Sequence, residues 1–368
     1  LAPDREQLVQ QWFGDLPLVT QILQTALGRI AVILLPRSHG QLYADREATV
    51  DALLDALAMA EHIGARAVSL TGVIPSATEG GRAIVDAVRD PQALPAITTG
   101  HATTSAAVVL SVEALLRRVG RAAAGECVGV LGLGSIGLGS LRLMLESLPH
   151  PRELILCDLA RRERYLQRVA RELRSASNFR GTLRILTSER AVPKEFYRAT
   201  LMVAATNAEG ILDVQQLQPG TLVVDDSGPP CFHVGDAMAR LERAHDILFT
   251  EAGVLKAPHD IDTLTHLPPE VGRHLDADQL RASPLFSRRA RRRDVTGCVL
   301  SALLVATQGL AATLGATPLT QSIEHLRRLR ELGFAAAAPH CDGIALAEAD
   351  IDRFYQGTAK QEPQKEPR

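Results

Sequence analysis

The sequence predicts an α/β protein: a Rossmann doubly wound parallel sheet preceded by a smaller α/β domain and followed by a helical C-terminal region. Three observations lead there. Short apolar runs recur between helical segments from residue 127 to residue 250. Residues 126–158 run strand, glycine turn, helix, strand, acid. After residue 297, apolar residues fall at helical spacing. The domain limits that follow are 1–120, 121–256 and 257–360, with a charged, prolyl tail at 361–368 that is expected to be disordered.

Residues 1–29 carry a short helical pattern. Residues 30–35, IAVILL, read as a buried strand stopped by Pro36. Residues 47–63 read as an amphipathic helix with Val50, Leu53, Leu54, Leu57 and Ala60 on one face. Residues 67–73, AVSLTGV, read as a second strand. Together these make a βαβ unit ahead of the glycine turn, and residues 80–88 suggest a further helix. Residues 96–104, AITTGHATT, form a small-hydroxyl cluster leading into a helix that ends near residue 119. Thr98, Thr99 and His101 either cap that helix or line a ligand pocket, and both readings stay open.

The glycine turn follows the apolar run at 127–131. In Gly132-Leu133-Gly134-Ser135-Ile136-Gly137, the first glycine permits the bend and the second lets a pyrophosphate approach the backbone. The third lets helix and strand pack closely. Backbone N–H groups at the helix start, at Ser135 and Ile136, then meet the phosphates. Asp158 ends the second strand 21 positions past Gly137, where a carboxylate holds the adenosine ribose and favours NAD. Arg161, Arg162 and Arg164 follow at once and can hold a 2′-phosphate, which favours NADP. A nicotinamide dinucleotide is therefore expected, with its phosphate left open. Further strands lie at 183–186, 201–205, 221–225 and 247–250. Thr206 and Asn207 end the fourth strand, where they reach the nicotinamide ribose or simply shape a turn. The same choice applies to Asp225 and Asp226 after the fifth.

Residues 257–287 are rich in Pro, His and Asp and read as an irregular connection. An arginine run follows (Arg288, Arg289, Arg291, Arg292, Arg293) and then an apolar helix to about residue 314. With Asp294 as its cap, Cys298 falls in the first turn, where the helix dipole and the arginines favour a thiolate and Asp294 opposes them. A cysteine among Val, Leu and Ala is usually a small core residue. The arginines are either a solvated face or an anion site for a substrate phosphate or an acidic partner. Helices at 320–332 and about 344–355 complete the chain.

Composition narrows the class. With 368 residues, 46% hydrophobic content and a net charge of −2, an ordinary globular protein is expected and nucleic acid is an unsuitable main partner. No apolar run reaches the ~18 residues of a membrane span. The five cysteines are scattered and match neither a zinc spacing nor a disulfide framework, so a reducing cytoplasm and no metal are expected. No secretory signal is read at the N-terminus. The chain opens on Leu1 rather than methionine, as a domain cut from a longer polypeptide would.

Four of these stretches together resemble the long-chain acyl-acyl-carrier-protein reductases of cyanobacteria, over about residues 30–310. They are Ile97-Thr98-Thr99-Gly100, the glycine turn, residues 204–212 with 222–230, and residues 294–309 containing Cys298. The resemblance implies reduction of a thioester on acyl carrier protein or CoA to an aldehyde, through an acyl-enzyme at Cys298. Thr98, Thr99 or His101 would then donate hydrogen bonds to the oxyanion. It also implies NADPH, held through Arg161 or Arg162, with NADH also possible because of Asp158. The family's Asn-Thr-His-Thr is His101-Ala102-Thr103-Thr104 here, so the family's histidine has no positional equivalent. A reductase domain within a larger synthase fits the start of the chain. Two other readings use the same residues: a dehydrogenase without a covalent step, and a non-enzymatic NAD(P)-binding redox sensor. A shikimate-type dehydrogenase needs a Lys-Asp pair in the first domain, and residues 30–100 hold no lysine.

Overall fold

The structure, a computed structural model, describes residues 7, 12–14, 16–88, 94–189, 191–266 and 292–359. In chain order the first elements are β1 (Leu18–Thr25), β2 (Gly28–Leu34), α1 (His39–Ala44), α2 (Arg46–His62), β3 (Ala67–Ser69), α3 (Ile74–Ala77), α4 (Arg82–Ala87), β4 (Ala96–Thr98) and α5 (His101–Arg118). Then come β5 (Cys127–Leu131), α6 (Ser135–Ser147), β6 (Glu153–Leu159), α7 (Glu163–Ser175), β7 (Thr182–Ser188), β8 (Leu201–Ala204), β9 (Thr221–Asp225), α8 (Val234–Ala244) and β10 (Ile247–Glu251). The chain continues through β11 (Val254–Lys256), β12 (Asp262–Thr265), β13 (Asp294–Thr296), α9 (Gly297–Gln308), α10 (Leu319–Glu331) and α11 (Glu348–Ala359). The expected tail at 361–368 and Arg288, Arg289 and Arg291 lie outside the described residues.

The chain forms two compact units, residues 1–104 with 255–334, and residues 105–254 with 335–368. The two are interleaved along the sequence. The region after 256, read from the sequence as one helical segment, is divided between them.

The second unit holds a six-stranded sheet in the order β10-β9-β8-β5-β6-β7, with every neighbouring pair parallel. Order reverses beside β5, which is the doubly wound arrangement the apolar runs predicted. β5, β8 and β9 are buried along their whole lengths, as a parallel sheet covered on both faces requires. Each crossover places the next strand's carboxyl end on the same side as the glycine turn.

The first unit departs from the sequence reading in two places. Residues 18–25 are a strand, not part of a helix: β1 pairs antiparallel with β2 and with β12. Its apolar residues suit either period, and long-range pairing decides for the strand. β2 consequently lies in that antiparallel sheet, and only Ile30 of its residues is buried. The βαβ unit of residues 30–73 is therefore not formed. The parallel pair is β3 with β4, in register Ser69 to Thr98. α2 does form as expected. Asp45 caps it by accepting from the Ala48 amide at 3.0 Å, and Val50, Leu53, Leu57 and Ala60 are its buried stripe. Leu53, Leu57, Leu70, Ile84 and Ile97 make the core beneath it.

Candidate functional site

Two sites emerge, one in each unit. In the second unit the three glycines of the turn differ in kind. Gly132 has φ +82°, and a side chain there would meet the Ala205 carbonyl oxygen at 2.5 Å. A Cβ on Gly137 would fall onto the Gly132 carbonyl oxygen, far inside van der Waals contact. Gly134 faces open space and is the N-cap of α6, with no capping side chain. The first-turn amides of Ser135, Ile136 and Gly137 thus have no side-chain partner at a helix N-terminus, the arrangement that accepts a pyrophosphate. The residues fit a dinucleotide.

Asp158 and Arg162 do not compete, as their opposite charges suggested; they pair. Asp158 Oδ2 accepts from the Leu133 amide at 2.9 Å and from Arg162 Nη1 at 2.6 Å, and its Oδ1 accepts from the Leu159 amide at 2.8 Å. Arg162 also donates to the Leu133 carbonyl at 3.1 Å and lies 4.3 Å over the Tyr165 ring. The Tyr165 hydroxyl donates to that same carbonyl at 2.9 Å. Sequence reasoning missed Tyr165, although its spacing on α7 brings it under Arg162. Together these side chains brace the glycine turn. A carboxylate has about four lone-pair sites, so one remains for a ribose hydroxyl. Arg161 is exposed beside this cluster.

Thr206 packs against the same turn, 3.4 Å from where a Gly132 Cβ would lie. Its hydroxyl accepts from the Ala208 amide at 3.2 Å and its own amide donates to Ser227 Oγ at 3.0 Å, so Thr206 shapes a turn. Asn207 is exposed. Asp225 is buried and closes its loop by accepting from the Ser227 and Cys231 amides. Burial pushes its carboxyl up, with those hydrogen bonds opposing.

The first unit holds the thiol. The N-cap of α9 is Thr296, not Asp294, which lies in β13 instead. The extended Asp294–Thr296 segment shortens the helix by two residues. Cys298 still falls in the first turn, half-buried, and its Sγ donates to Thr296 Oγ1 at 3.5 Å. The other four cysteines are buried. Burial pushes Cys127 up to about 11, Cys157 and Cys341 to about 12, and Cys231 well above its ordinary value.

Gly100 abuts this helix start. Its φ is +71°, and a Cβ there would lie 2.8 Å from Cys298 Cα and 3.1 Å from both Cys298 Cβ and Ser69 Oγ. Around this contact the sequence-predicted residues divide. Thr98 Oγ1 is taken up by the Thr313 amide and hydroxyl, each at 3.2 Å, and by the Gly100 amide at 3.4 Å. Thr99 Oγ1 and His101 Nδ1 are buried without a partner, and so is Ser69 Oγ. Burial lowers the His101 pKa, opposed by a hydrogen bond to the Gly315 backbone. Ser69 was not singled out from the sequence. The available signal was its place at the carboxyl end of a parallel strand, where ligand sites gather.

Along α9, from the residue after Cys298, lies an apolar cavity of about 280 Å³. Val299, Ala302, Leu303 and Ala306, one stripe of α9, form part of its wall, and Leu57, Leu70 and Ser69 face them. The size is at the lower end of small-molecule pockets. Of the arginine run, Arg292 and Arg293 are exposed, and Arg293 pairs with Asp260 at 2.8 Å. No cluster of possible metal ligands exists among the described residues, and none of the described helices is long and apolar enough to cross a membrane.

No protein-family model matches the chain, and no curated protein matches it significantly. Solved structures with partial similarity include Δ1-pyrroline-2-carboxylate reductase of Thermococcus litoralis in complex with NADH and L-proline. That match has 14% identity over 34% of this chain and 36% of that one, at a TM-score of 0.26. L-tryptophan dehydrogenase of Nostoc punctiforme is similar at 18% identity over 61% and 57%, at a TM-score of 0.35. Shikimate 5-dehydrogenase of Listeria monocytogenes, in complex with shikimate and NAD, is similar at 13% identity over 44% and 55%, at a TM-score of 0.29. The chain spans about a third to just over half of their lengths. Likeness this low carries no argument about activity, which rests on the two sites themselves.

Proposed function

We propose that the protein is an NAD(P)H-dependent oxidoreductase that reduces an acyl thioester, on acyl carrier protein or CoA, to an aldehyde through an acyl-enzyme at Cys298. The observation that carries this reading is the half-buried Cys298 thiol at a helix start, with an apolar cavity along the same helix and unpartnered polar atoms around it. The family resemblance points the same way.

In this scheme the acyl chain lies in the cavity along α9. His101, whose charged form burial disfavours, takes the thiol proton at the unpartnered Nδ1. Cys298 Sγ attacks the thioester carbonyl, the bond from that carbon to the pantetheine sulfur breaks, and the leaving thiolate takes up a proton. A nicotinamide dinucleotide, held by the glycine turn and Arg161, would supply the hydride that reduces the acyl-enzyme. Collapse then breaks the bond to Cys298, releases the aldehyde and returns the thiolate. Thr99, with its free buried hydroxyl, suits oxyanion stabilisation; one such donor is worth about 3–4 kcal/mol. Thr98, whose hydroxyl is already bonded, holds the turn instead. The glycine turn takes the pyrophosphate of either dinucleotide, the resemblance and the exposed Arg161 favour NADPH, and the remaining lone pair of Asp158 also admits NADH.

The test is turnover with acyl-CoA substrates. Oxidation of one NADPH per aldehyde released, measured by absorbance and chromatography, is expected. Oxidation of a small hydroxy or amino acid with NAD(P)+, and no aldehyde from any thioester, would replace this reading with a non-covalent dehydrogenase.

A further inference from the structure

We infer that Ser69 is a catalytic residue of the thiol site, whose hydroxyl donates to the carbonyl oxygen of the thioester and of the oxyanion formed from it. The inference rests on the acyl-enzyme reading above and adds a residue to it.

Ser69 Oγ is buried and has no hydrogen-bond partner. Such a group is costly in a folded protein and calls for an explanation. Its position supplies one. Ser69 Oγ and Cys298 Cβ each lie 3.1 Å from the point where a Gly100 side chain would begin. Gly100 has φ +71°, which favours glycine, and any side chain there would clash with Cys298 Cα at 2.8 Å, so the Ser69 hydroxyl and the thiol-bearing carbon both pack closely against the same glycine. Ser69 also lines the apolar cavity, as does Val299, the residue after Cys298. An acyl chain lying in the cavity with its carbonyl carbon at Cys298 therefore brings its carbonyl oxygen beside Ser69.

The neighbouring groups differ in what they can offer. Thr98, paired with Ser69 across β3 and β4, has its hydroxyl bound to Thr313 and Gly100. His101 Nδ1 is buried without a partner, and burial disfavours its charged form. Thr99 has a free buried hydroxyl and serves as a second donor. Ser69 ends a strand of the parallel pair, so its hydroxyl is held in place before substrate arrives, which is what makes such a donor effective.

The experiment compares wild type, Ser69→Ala and Ser69→Thr as full chains. The probes are butyryl-, octanoyl- and palmitoyl-CoA, with Cys298 acylation followed by intact mass. Ser69→Ala is expected to slow acylation by about 10²-fold. It leaves the rate of Cys298 alkylation by iodoacetamide, NADPH affinity and the thermal midpoint unchanged. Ser69→Thr, which keeps a hydroxyl, recovers most of the rate. Normal acylation of Ser69→Ala overturns the inference and leaves the acyl-enzyme intact. Equal losses of acylation and alkylation overturn it too, since Ser69 would then act only on the thiol. A wild type that takes up no acyl group from any probe overturns the reading beneath it.

Discussion

Replacing Cys298 with alanine abolishes aldehyde formation, a loss of at least ~10³-fold in kcat/KM, while NADPH binding stays within twofold of wild type, a difference of about 0.4 kcal/mol. The size of the effect follows from the cysteine inventory. The other four thiols are buried, and burial pushes each well above its ordinary value, so none can stand in as nucleophile. The specificity of the effect follows from the architecture. The glycine turn belongs to the other unit, built on its own six-stranded sheet. Alanine fits a half-buried first-turn position and is a good helix former, so the variant folds. Fluorescence titration with NADPH, run beside aldehyde chromatography, checks both halves. Turnover near the wild-type rate would remove the covalent step.

The second large effect is at the glycine turn. Gly137→Ala puts a methyl group onto the Gly132 carbonyl oxygen, so either the turn or α6 must move. Overpacking of this kind costs about 1–3 kcal/mol and displaces the amides that meet the phosphates. A lower thermal midpoint and NADPH affinity reduced by at least ~10²-fold are expected together. Gly134→Ala separates the two causes. No atom lies within 4 Å of its Cβ position, so the protein keeps its stability. The same methyl stands where the pyrophosphate approaches, and affinity falls by roughly tenfold. Calorimetry and titration on both variants distinguish these outcomes; unaltered NADPH binding by Gly134→Ala would place the dinucleotide elsewhere.

The six-stranded sheet was legible because its information is local. Each buried strand is a short apolar run, and the Gly132–Gly137 turn sits between the strand and helix that it needs. The Cys298 helix start was also legible, with a two-residue error. Asp294 looks like a cap, but it is drawn into an extended segment and Thr296 takes the position. What the sequence concealed depends on contacts that only the folded chain makes. β1 is a strand because it pairs with the adjacent β2 and with β12, more than 200 positions away. Asp158 and Arg162 read as rival cofactor determinants, yet a bond four residues apart ties them together. Ser69 gains chemical meaning only because Gly100 packs against Cys298. A lone serine at the end of a three-residue strand carries no such mark.

The central claim is a carbon–sulfur bond between substrate and protein, and intact mass tests it most directly. The full chain is incubated with octanoyl-CoA and no nicotinamide cofactor, then digested and mapped. The account predicts one octanoyl group per chain, located on Cys298 and released as aldehyde when NADPH is added. No adduct, or an adduct on another residue that NADPH leaves in place, would contradict it.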